Sequence, residues 1–329
     1  MESIMVKEYG GYLPLELPEG NAYYQGGDVA ALNSGRYAIV YALQETDWNC
    51  IYLPYYICDT VKEAIRRYLP KIRIRFYHID ESLLPTDVAP GEQEGLLWVN
   101  YFGIQPDAVI DRMAEQYSGH LIIDHTQAFF ARPRKGVFQV YSCRKFFGVS
   151  DGSYVIKEHI SHRPLPQHYS SLQASHLLHS LEFGTNYAYA LNKENEQQLG
   201  TMEMGTMSPL TSAILQAADY DTVKKTRIRN MERLHEILGP HNRLHVTWPA
   251  PAMSYPFLCS DPELRTKLLP YKIYVPCLWT ETAENPEASL WVADLATHLC
   301  VLPVDQRYTD EDMQWIGKTV LELLNITRK

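Results

Sequence analysis

Short apolar runs alternate with amphipathic segments over residues 26–160, and this alternation limits the possible folds more than any other feature of the chain. The apolar runs have the length and the β-branched and aromatic content of strands; they are NCIYLP, IRIRFYHI, GLLWVNYFG, HLIIDHT, VFQVYSC and GSYVIKE. Between them, CDTVKEAIRRYL, capped by Asp59 or Thr60, and PDAVIDRMAEQYSG have helical spacing. Strands that alternate with helices form mostly parallel sheets covered by helices. We therefore predict an α/β fold.

Changes in this pattern divide the chain into three parts. Residues 1–25 are rich in Gly, Pro and Tyr, and we expect an extended N-terminal arm. Residues 26–220 are predicted to form a large domain around the mostly parallel sheet. Residues 221–329 are predicted to form a small C-terminal α+β domain. Its helix would be TDEDMQWIGKTVLELL, and its strand-like runs are LHVTWP, YPFLC, YVPCLW and HLCVLPV.

Charge and cysteine usage argue against several kinds of partner. The 329 residues have a net charge of −9, whereas nucleic acids and anionic membranes bind basic surfaces. No apolar run has the length of a membrane span, and the first residues lack the pattern of a signal peptide. The six cysteines include no C-x-x-C pair, so neither a zinc site nor a disulfide framework is indicated. We expect a cytoplasmic protein with reduced thiols and no bound metal.

Polar residues follow the predicted strands, at the edge where parallel α/β sheets place their ligands. Ser34 and Gly35 open a helix, and the N–H groups of a helix N-terminus bind phosphate, with Arg36 adding charge. On this stretch alone a plain capped helix start is the favoured interpretation, because Ser-Gly pairs are common. Asp124 ends an apolar run, where a carboxylate needs a cation or a strong donor. A capping aspartate is the alternative.

Lys145 follows the run FQVYSC at the next strand end. Most lysines are solvated surface residues, and that is its ordinary interpretation. The alternative is an amine desolvated in a pocket, with a lowered pKa that lets it form a Schiff base. Asn100 interrupts the run LLWVNYFG and either lines a pocket or caps a loop.

The order of these groups along the chain is more specific than any one of them. Pyridoxal phosphate (PLP) needs a phosphate cradle, an acid beside its pyridine nitrogen, a ring-stacking partner and a lysine. Ser34–Gly35, Asp124 and Lys145 occur in that order, each at the edge of one predicted sheet. The sequence therefore predicts a PLP site.

Over nearly its whole length the chain resembles the DegT/DnrJ/EryC1/StrS family of PLP-dependent aminotransferases. LNSGRYAI is similar to the family's S-G-T-x-A-L segment, VNYFG to V-H-x-[YF]-G and IIDHTQAF to E-D-x-A-Q-A. YSCRKFFGVSDGSYV is similar to S-F-…-K-…-G-[ED]-G-G, and LPVDQRYTDEDMQWI to the family's closing segment. The resemblance implies the aspartate-aminotransferase-like fold (fold type I) and a homodimer, with the arm as a plausible clasp. It also implies transfer of an amino group from glutamate to a keto acceptor, often a nucleotide-linked sugar in polysaccharide or secondary-metabolite biosynthesis.

The resemblance gives each matching residue a role. Lys145 would form the aldimine with PLP, Asp124 would pair with its pyridine nitrogen, and Gln127 would reach the 3′ oxygen or pack on the ring. Tyr56 is our choice for the stacking aromatic, with Tyr55 as an alternative, although the strict register of the family points to Cys58. The implied cofactor-binding residues are Ser34, Gly35, Arg36, Tyr56, Asn100, Asp124, Gln127, Ser142 and Lys145.

Four departures separate this chain from the family pattern. Arg36 stands where the family has threonine, Ser142 lies three rather than five residues before the lysine, and Ser150–Ser153 replace G-[ED]-G-G. Residues 206–210 lack the asparagine that many members offer to the partner's phosphate. The family's sugar dehydratases carry histidine in place of the lysine, so Lys145 favours transamination.

Three other interpretations remain. A lyase or decarboxylase would use the same cofactor, and a non-catalytic regulatory or binding protein would keep the fold. An unrelated α/β protein with a loop lysine would show the ordered matches by coincidence. Glutamate separates the first of these from a transaminase, because only a transaminase releases 2-oxoglutarate.

Overall fold

A computed structural model describes residues 9–246 and 251–326 of the chain. The strands are β1 (Val29–Leu32), β2 (Cys50–Pro54), β3 (Arg73–Ile79), β4 (Pro85–Thr86), β5 (Glu94–Val99), β6 (Leu121–His125), β7 (Phe138–Ser142), β8 (Ser153–Ile156), β9 (Ser254–Leu258) and β10 (Leu299–Pro303). The α-helices are α1 (Gly35–Leu43), α2 (Asp59–Tyr68), α3 (Asp107–Gln116), α4 (Ser175–Phe183), α5 (Tyr189–Thr201), α6 (Pro209–Gln216), α7 (Tyr220–Leu238), α8 (Leu264–Leu268), α9 (Leu290–His298) and α10 (Asp310–Leu323). Residues 9–28 form neither helix nor strand.

The first eight strands form one sheet in the order β1-β8-β7-β6-β5-β2-β3-β4. The central strands β3, β2, β5, β6 and β7 run parallel, and β8 turns back antiparallel to β7. Every residue of β6 and β7 is buried, which is typical of strands covered on both faces. The predicted α/β fold with a mostly parallel sheet is confirmed, and the carboxyl ends of β5, β6 and β7 share one edge.

Helix α1 lies directly against this part of the sheet. Its residues 37–43 are all buried, and it packs on β6, β7 and β8. A helix that is apolar all round belongs in a core. The packing brings the α1 N-terminus to the edge of the sheet where β6 and β7 end.

The C-terminal part of the chain, from α7 onward, contains the second sheet. Strands β9 and β10 pair antiparallel, and α7 packs against β9 and α10. A Cβ atom on Gly317 would lie 2.9 Å from the Ile237 side chain, so α7 and α10 pack closely at this glycine. The predicted division at residues 220 and 221 coincides with the first residues of α7 and remains a prediction.

Several local predictions were wrong. Strand β1 was not expected; it pairs with β8, which lies far along the chain. Helix α2 is capped by Cys58, without a side-chain hydrogen bond, and Asp59 lies in its first turn. YVPCLW forms no strand, because Pro276 lacks an N–H and the described part of the chain supplies no partner strand. In LHVTWP, residues 244–246 are irregular and residues 247–249 lie outside the described residues.

Within residues 9–246 and 251–326, no helix combines the length and the apolar character needed to cross a membrane. The same residues contain no group of three or more His, Cys, Asp or Glu side chains placed to hold a metal ion.

Candidate active site

Three of the predicted groups meet around Thr126, which lies just after β6. The Thr126 N–H donates to Asp124 Oδ1 at 2.8 Å, and Lys145 Nζ donates to Thr126 Oγ1 at 3.1 Å. A Cβ atom placed on Gly35 would lie 3.1 Å from Thr126 Cγ2. The start of α1, the end of β6 and the loop after β7 therefore converge on one residue.

The sheet explains this convergence. Asp124 pairs with Val140 of the parallel strand β7, so both strands deliver their next residues to the same edge. After β7 the chain makes a tight turn, because the Cys143 carbonyl accepts from the N–H groups of Phe146, at 3.0 Å, and Phe147, at 2.9 Å. This turn projects Lys145 toward the residues that follow β6.

Gly152 closes the turn and returns the chain into β8. Its φ is +109°, and a Cβ atom there would lie 2.8 Å from Thr211 Cγ2, so the position requires glycine. The Asp151 carboxylate before it accepts hydrogen bonds from Ser208 and Thr211. Asp151 is fully buried and fastens the start of α6 to the turn.

The surroundings of the buried Asp124 carboxylate have opposing effects on its pKa. Its side chain is 5% exposed, and burial raises its pKa. The Lys145 amine and hydrogen bonds from Thr126 oppose that rise. A further positive charge beside Asp124, such as a protonated ring nitrogen, would stabilise its ionised form.

Lys145 has a lowered pKa for a related reason. The surrounding protein desolvates the amine, and the Asp124 carboxylate opposes this effect. The residue still exposes more than a third of its surface, so we expect water to moderate the shift. A lowered pKa increases the fraction of neutral, nucleophilic amine near neutral pH.

The N-terminus of α1 provides groups suited to an anion. Ser34 is extended, with φ −156°, and its buried Oγ has no hydrogen-bond partner in the described part of the chain. The first N–H groups of a helix have no partner within the helix. Arg36 is half-buried and makes no hydrogen bond or ion pair with any described residue. Together these groups can bind phosphate.

The two other predicted polar residues near this edge are both buried. Gln127 is buried, and its Oε1 accepts from the Phe102 N–H at 2.7 Å, which ties the turn after β5 to the turn after β6. Ser142 is buried at the end of β7 and pairs with Ser153 of β8.

Asn100 does not join the site. Its Nδ2 lies 3.2 Å from Nδ1 of His125, whose side chain alternates with that of Asp124 along β6. Burial lowers the pKa of His125 to about 3, so the imidazole is neutral at physiological pH. Asn100 therefore belongs to a buried polar contact on the other face of the strand.

The choice of Tyr56 as the stacking residue is not supported. Tyr56 is fully buried, with the rings of Tyr101 and Trp279 centred 5.7 Å and 4.6 Å away, so no face is free for a ligand. Tyr55 stacks on Phe76 and His78 instead. The half-buried Cys58, the position to which the strict register of the family points, lies near the Lys145 amine.

A cavity of about 1020 Å³ opens beside Lys145. Its walls come from the loop after β7, from α4 and α5, and from Arg227 and residues 305–307. Of the predicted site residues, only Lys145 lines it. Lys145 therefore connects the polar groups around Thr126 with a space of the size that small-molecule ligands occupy.

A second, smaller cavity of about 320 Å³ lies between the C-terminal end of α10 and residues 259–261. Its cations are paired: Arg243 contacts Asp294 at 2.6 Å, and Lys267 contacts Asp261 at 2.7 Å. None of the predicted site residues lies there.

Comparison with solved structures identifies the fold. A DegT DnrJ EryC1 StrS aminotransferase from Brucella abortus matches with a TM-score of 0.61 and 14% identity, over 90% of this chain and 85% of that one. S. venezuelae DesV, solved with a ketimine intermediate, matches with a TM-score of 0.60 and 16% identity, over 92% and 85%. An E. coli GDP-4-keto-6-deoxy-D-mannose-3-dehydratase with hydrated PLP matches with a TM-score of 0.61 and 14% identity, over 91% and 88%.

The chain thus has the fold of the PLP-dependent aminotransferases, as the sequence resemblance implied. No family model and no curated protein sequence matches it.

Thr126 is the important residue that sequence reasoning missed. It occupies the first alanine position of the family's E-D-x-A-Q-A motif, and this departure is the signal that could have drawn attention to it.

Proposed function

We propose that this protein is a PLP-dependent aminotransferase that moves an amino group from an amino acid to a keto group on a small molecule. The observation that carries the proposal is the convergence of Gly35, Asp124 and Lys145 on Thr126. The sequence order predicted these groups for one cofactor, and the fold is the one in which solved enzymes use it.

The residues present fit PLP. Ser34 Oγ is buried without a partner in the described part of the chain, at a helix N-terminus that attracts anions. Ser34, Gly35 and Arg36 would hold the phosphate, Asp124 the pyridine nitrogen, and Lys145 the aldehyde carbon. When bound, PLP supplies an electron sink for the bonds at the substrate Cα.

Each protein group then has a defined task. Asp124 holds a proton on the ring nitrogen. The Lys145 amine carries the proton that leaves the substrate Cα, acting as a general base with a pKa already lowered toward neutrality. Thr126 orients both groups, through its N–H to Asp124 and its Oγ1 to Lys145.

We further propose glutamate as the amino donor and a keto sugar, such as a nucleotide-linked one, as the acceptor. Support comes from the solved structures of this fold, among them the sugar aminotransferase CalS13 from Micromonospora echinospora, which is 15% identical. The cavity beside Lys145 accommodates substrates of this size, and Arg144 and Arg307, which pair with Glu196 and Asp305, lie in its wall.

A homodimer is part of the proposal. Large apolar side chains are exposed on the N-terminal arm, where Tyr12 is 94% and Leu13 82% exposed, and beside α4, where Leu172 is 94% and Leu181 86% exposed. Exposed apolar surface of this extent marks interaction sites. A monomeric mass in sedimentation equilibrium would contradict this part of the proposal.

The test is the half-reaction with glutamate. Purified protein supplied with PLP should release stoichiometric 2-oxoglutarate from glutamate, and Lys145→Ala should release none. Lys135→Ala is the matched control, because Lys135 is 92% exposed and lies away from the cavity. Full 2-oxoglutarate release by Lys145→Ala would overturn the assignment.

A dehydratase is the second candidate, because an enzyme of that class shares the fold at similar TM-score. The glutamate test separates the two reactions. Release of water from a keto sugar, without release of 2-oxoglutarate from glutamate, would favour the dehydratase.

A further inference from the structure

The carbonyl of Phe146, the residue after Lys145, accepts hydrogen bonds from two side chains in the C-terminal part of the chain. Phe146 O accepts from Arg227 Nη2 of α7 at 3.2 Å and from Gln306 Nε2, in the segment between β10 and α10, at 2.9 Å. The Arg227 guanidinium also lies 4.6 Å from the centre of the Phe146 ring. Phe146 is therefore fixed at both its carbonyl and its side chain.

Arg227 is unusual for a buried arginine. It is 1% exposed and forms no ion pair with any described carboxylate. Its other donors go to the carbonyls of Ala252 and Met253, both at 3.1 Å, and to Gln306 Oε1 at 3.1 Å. Burial lowers its pKa to about 10, which leaves it charged at neutral pH.

Stability alone does not account for this arginine. A buried cation without a carboxylate has a large desolvation cost, and an apolar side chain of similar volume would avoid it. Asp305, the carboxylate whose charge acts on Arg227, is already engaged by Arg307 at 2.7 Å and 2.9 Å. What Arg227 provides and an apolar residue cannot is a directed hydrogen bond to the Phe146 carbonyl, held in place by its bonds to Gln306 and to the carbonyls of Ala252 and Met253.

The Lys145 amine depends on this turn for its position. Its only described hydrogen bond is the one to Thr126 Oγ1. The titratable and charged groups that face it are Asp124 after β6, Cys58 before α2, the neighbouring Arg144, and Glu196 of α5. On its inner side the turn is anchored by the Cys143 carbonyl, and on its outer side by Arg227 and Gln306.

We propose that Arg227 and Gln306 are positioning residues for Lys145, which fix Phe146 and thereby set where the amine lies relative to Thr126 and Asp124. The inference rests on the proposed function for the task that Lys145 performs. Both residues also line the cavity beside Lys145, but positioning of the amine requires no contact between them and the substrate. Arg227 and Gln306 belong to the C-terminal part of the chain, which contains the second sheet. The position of this part of the chain therefore affects the position of Lys145.

Loss of these contacts should change the titration of Lys145. A freed turn lets the amine move from its desolvated position into the open cavity, so its pKa should rise toward the ordinary value for lysine. We expect Arg227→Met and Gln306→Leu each to raise the midpoint by about half a pH unit. At pH values below the midpoint, that reduces the neutral amine about threefold.

Competitive acetylation across a pH series measures this midpoint without turnover. The full chain, freed of any bound cofactor with hydroxylamine, is labelled with trace acetic anhydride, and the Lys145 peptide is quantified by mass spectrometry against the exposed Lys135. Gln306→Leu provides the same test at a half-buried position if Arg227→Met fails to fold.

Two controls separate positioning from general loosening. Arg229→Met is the same substitution on the same helix, at a residue that contacts Tyr308 O at 2.7 Å but not Phe146. Leu234→Ala leaves a cavity at a fully buried position of α7. Neither should move the Lys145 midpoint. A shift with Leu234→Ala as large as that with Arg227→Met would overturn the inference.

The outcomes distinguish this inference from the proposed function. If wild-type protein fails to bind PLP at Lys145, the proposed function is wrong, whatever the labelling shows. If wild-type protein binds PLP and Arg227→Met and Gln306→Leu leave the Lys145 midpoint unchanged, positioning by Arg227 and Gln306 is wrong and the proposed function stands.

Discussion

Thr126→Val isolates the contribution of one hydroxyl to the reactive lysine. Valine keeps the shape of the side chain and the N–H that binds Asp124, but removes the oxygen that accepts from Lys145 Nζ at 3.1 Å. A hydrogen bond to a charged group contributes about 1.5–3 kcal/mol. Because Lys145 exposes more than a third of its surface, solvent screening reduces this to about 1 kcal/mol.

The lost bond stabilised the charged amine, so its removal lowers the pKa of Lys145. About 1 kcal/mol corresponds to about 0.7 pKa unit. The Thr126 side chain also holds down the pKa of Asp124. Its loss favours the neutral carboxyl, which weakens the attraction that keeps Lys145 protonated. Both effects have the same sign, opposite to that expected for Arg227→Met.

The acetylation assay measures the result directly. The Lys145 midpoint should fall by about 0.7 pH unit, and Thr126→Ser, which keeps the hydroxyl, should leave it near the wild-type value. An unchanged or raised midpoint in Thr126→Val would refute the assignment of Thr126 as the residue that orients the amine.

Three further predictions concern the same edge of the sheet. Gly35→Ala places a Cβ 3.1 Å from Thr126 Cγ2. We expect a fluorescence titration to show that the Kd for PLP rises about tenfold, which corresponds to about 1.4 kcal/mol. An unchanged Kd would contradict the close approach of Gly35 to Thr126. Asp124→Asn removes a buried carboxylate whose pKa is raised in the folded protein. Such a carboxylate destabilises the fold at pH values above its folded-state pKa and has no such effect below its unfolded-state pKa. Without cofactor the variant should therefore unfold about 2 °C higher at pH 8 and no higher near pH 3, while 2-oxoglutarate release is lost; equal thermal shifts at both pH values would argue against this account. Gly152→Ala should lower the free energy of unfolding by about 1–3 kcal/mol in urea titrations, because the φ of Gly152 is +109°. Gly148→Ala in the same loop should leave it unchanged, because nothing lies within 4 Å of its Cβ position. Equal effects of the two substitutions would refute the strain argument.

The central sheet could be predicted because its signals are local. Strands β2, β5, β6 and β7 are apolar runs bounded by turns, and each helix between them has its own periodicity. Strand β1 could not be predicted in the same way, since it has four residues and its partner β8 lies more than a hundred residues further along. The apolar run YVPCLW suggested a strand, but its residues form none, and its proline has no N–H to donate to a neighbouring strand.

The order of residues along the chain constrained part of the candidate site. Parallel strands place Asp124 and Lys145 at one edge, and the distances confirm that both reach Thr126. The contacts of Asn100 and Tyr56 could not be predicted in this way. A pattern of polar and aromatic residues at a strand end does not reveal which face a side chain takes, and both point into buried contacts.

Covalent attachment of the cofactor tests the central claim most directly. Protein incubated with PLP, reduced with borohydride and digested should carry the label on one peptide, the one that contains Lys145. Lys145→Ala should carry none. A protein that binds no PLP, or that is labelled equally on exposed lysines such as Lys135, would contradict the account.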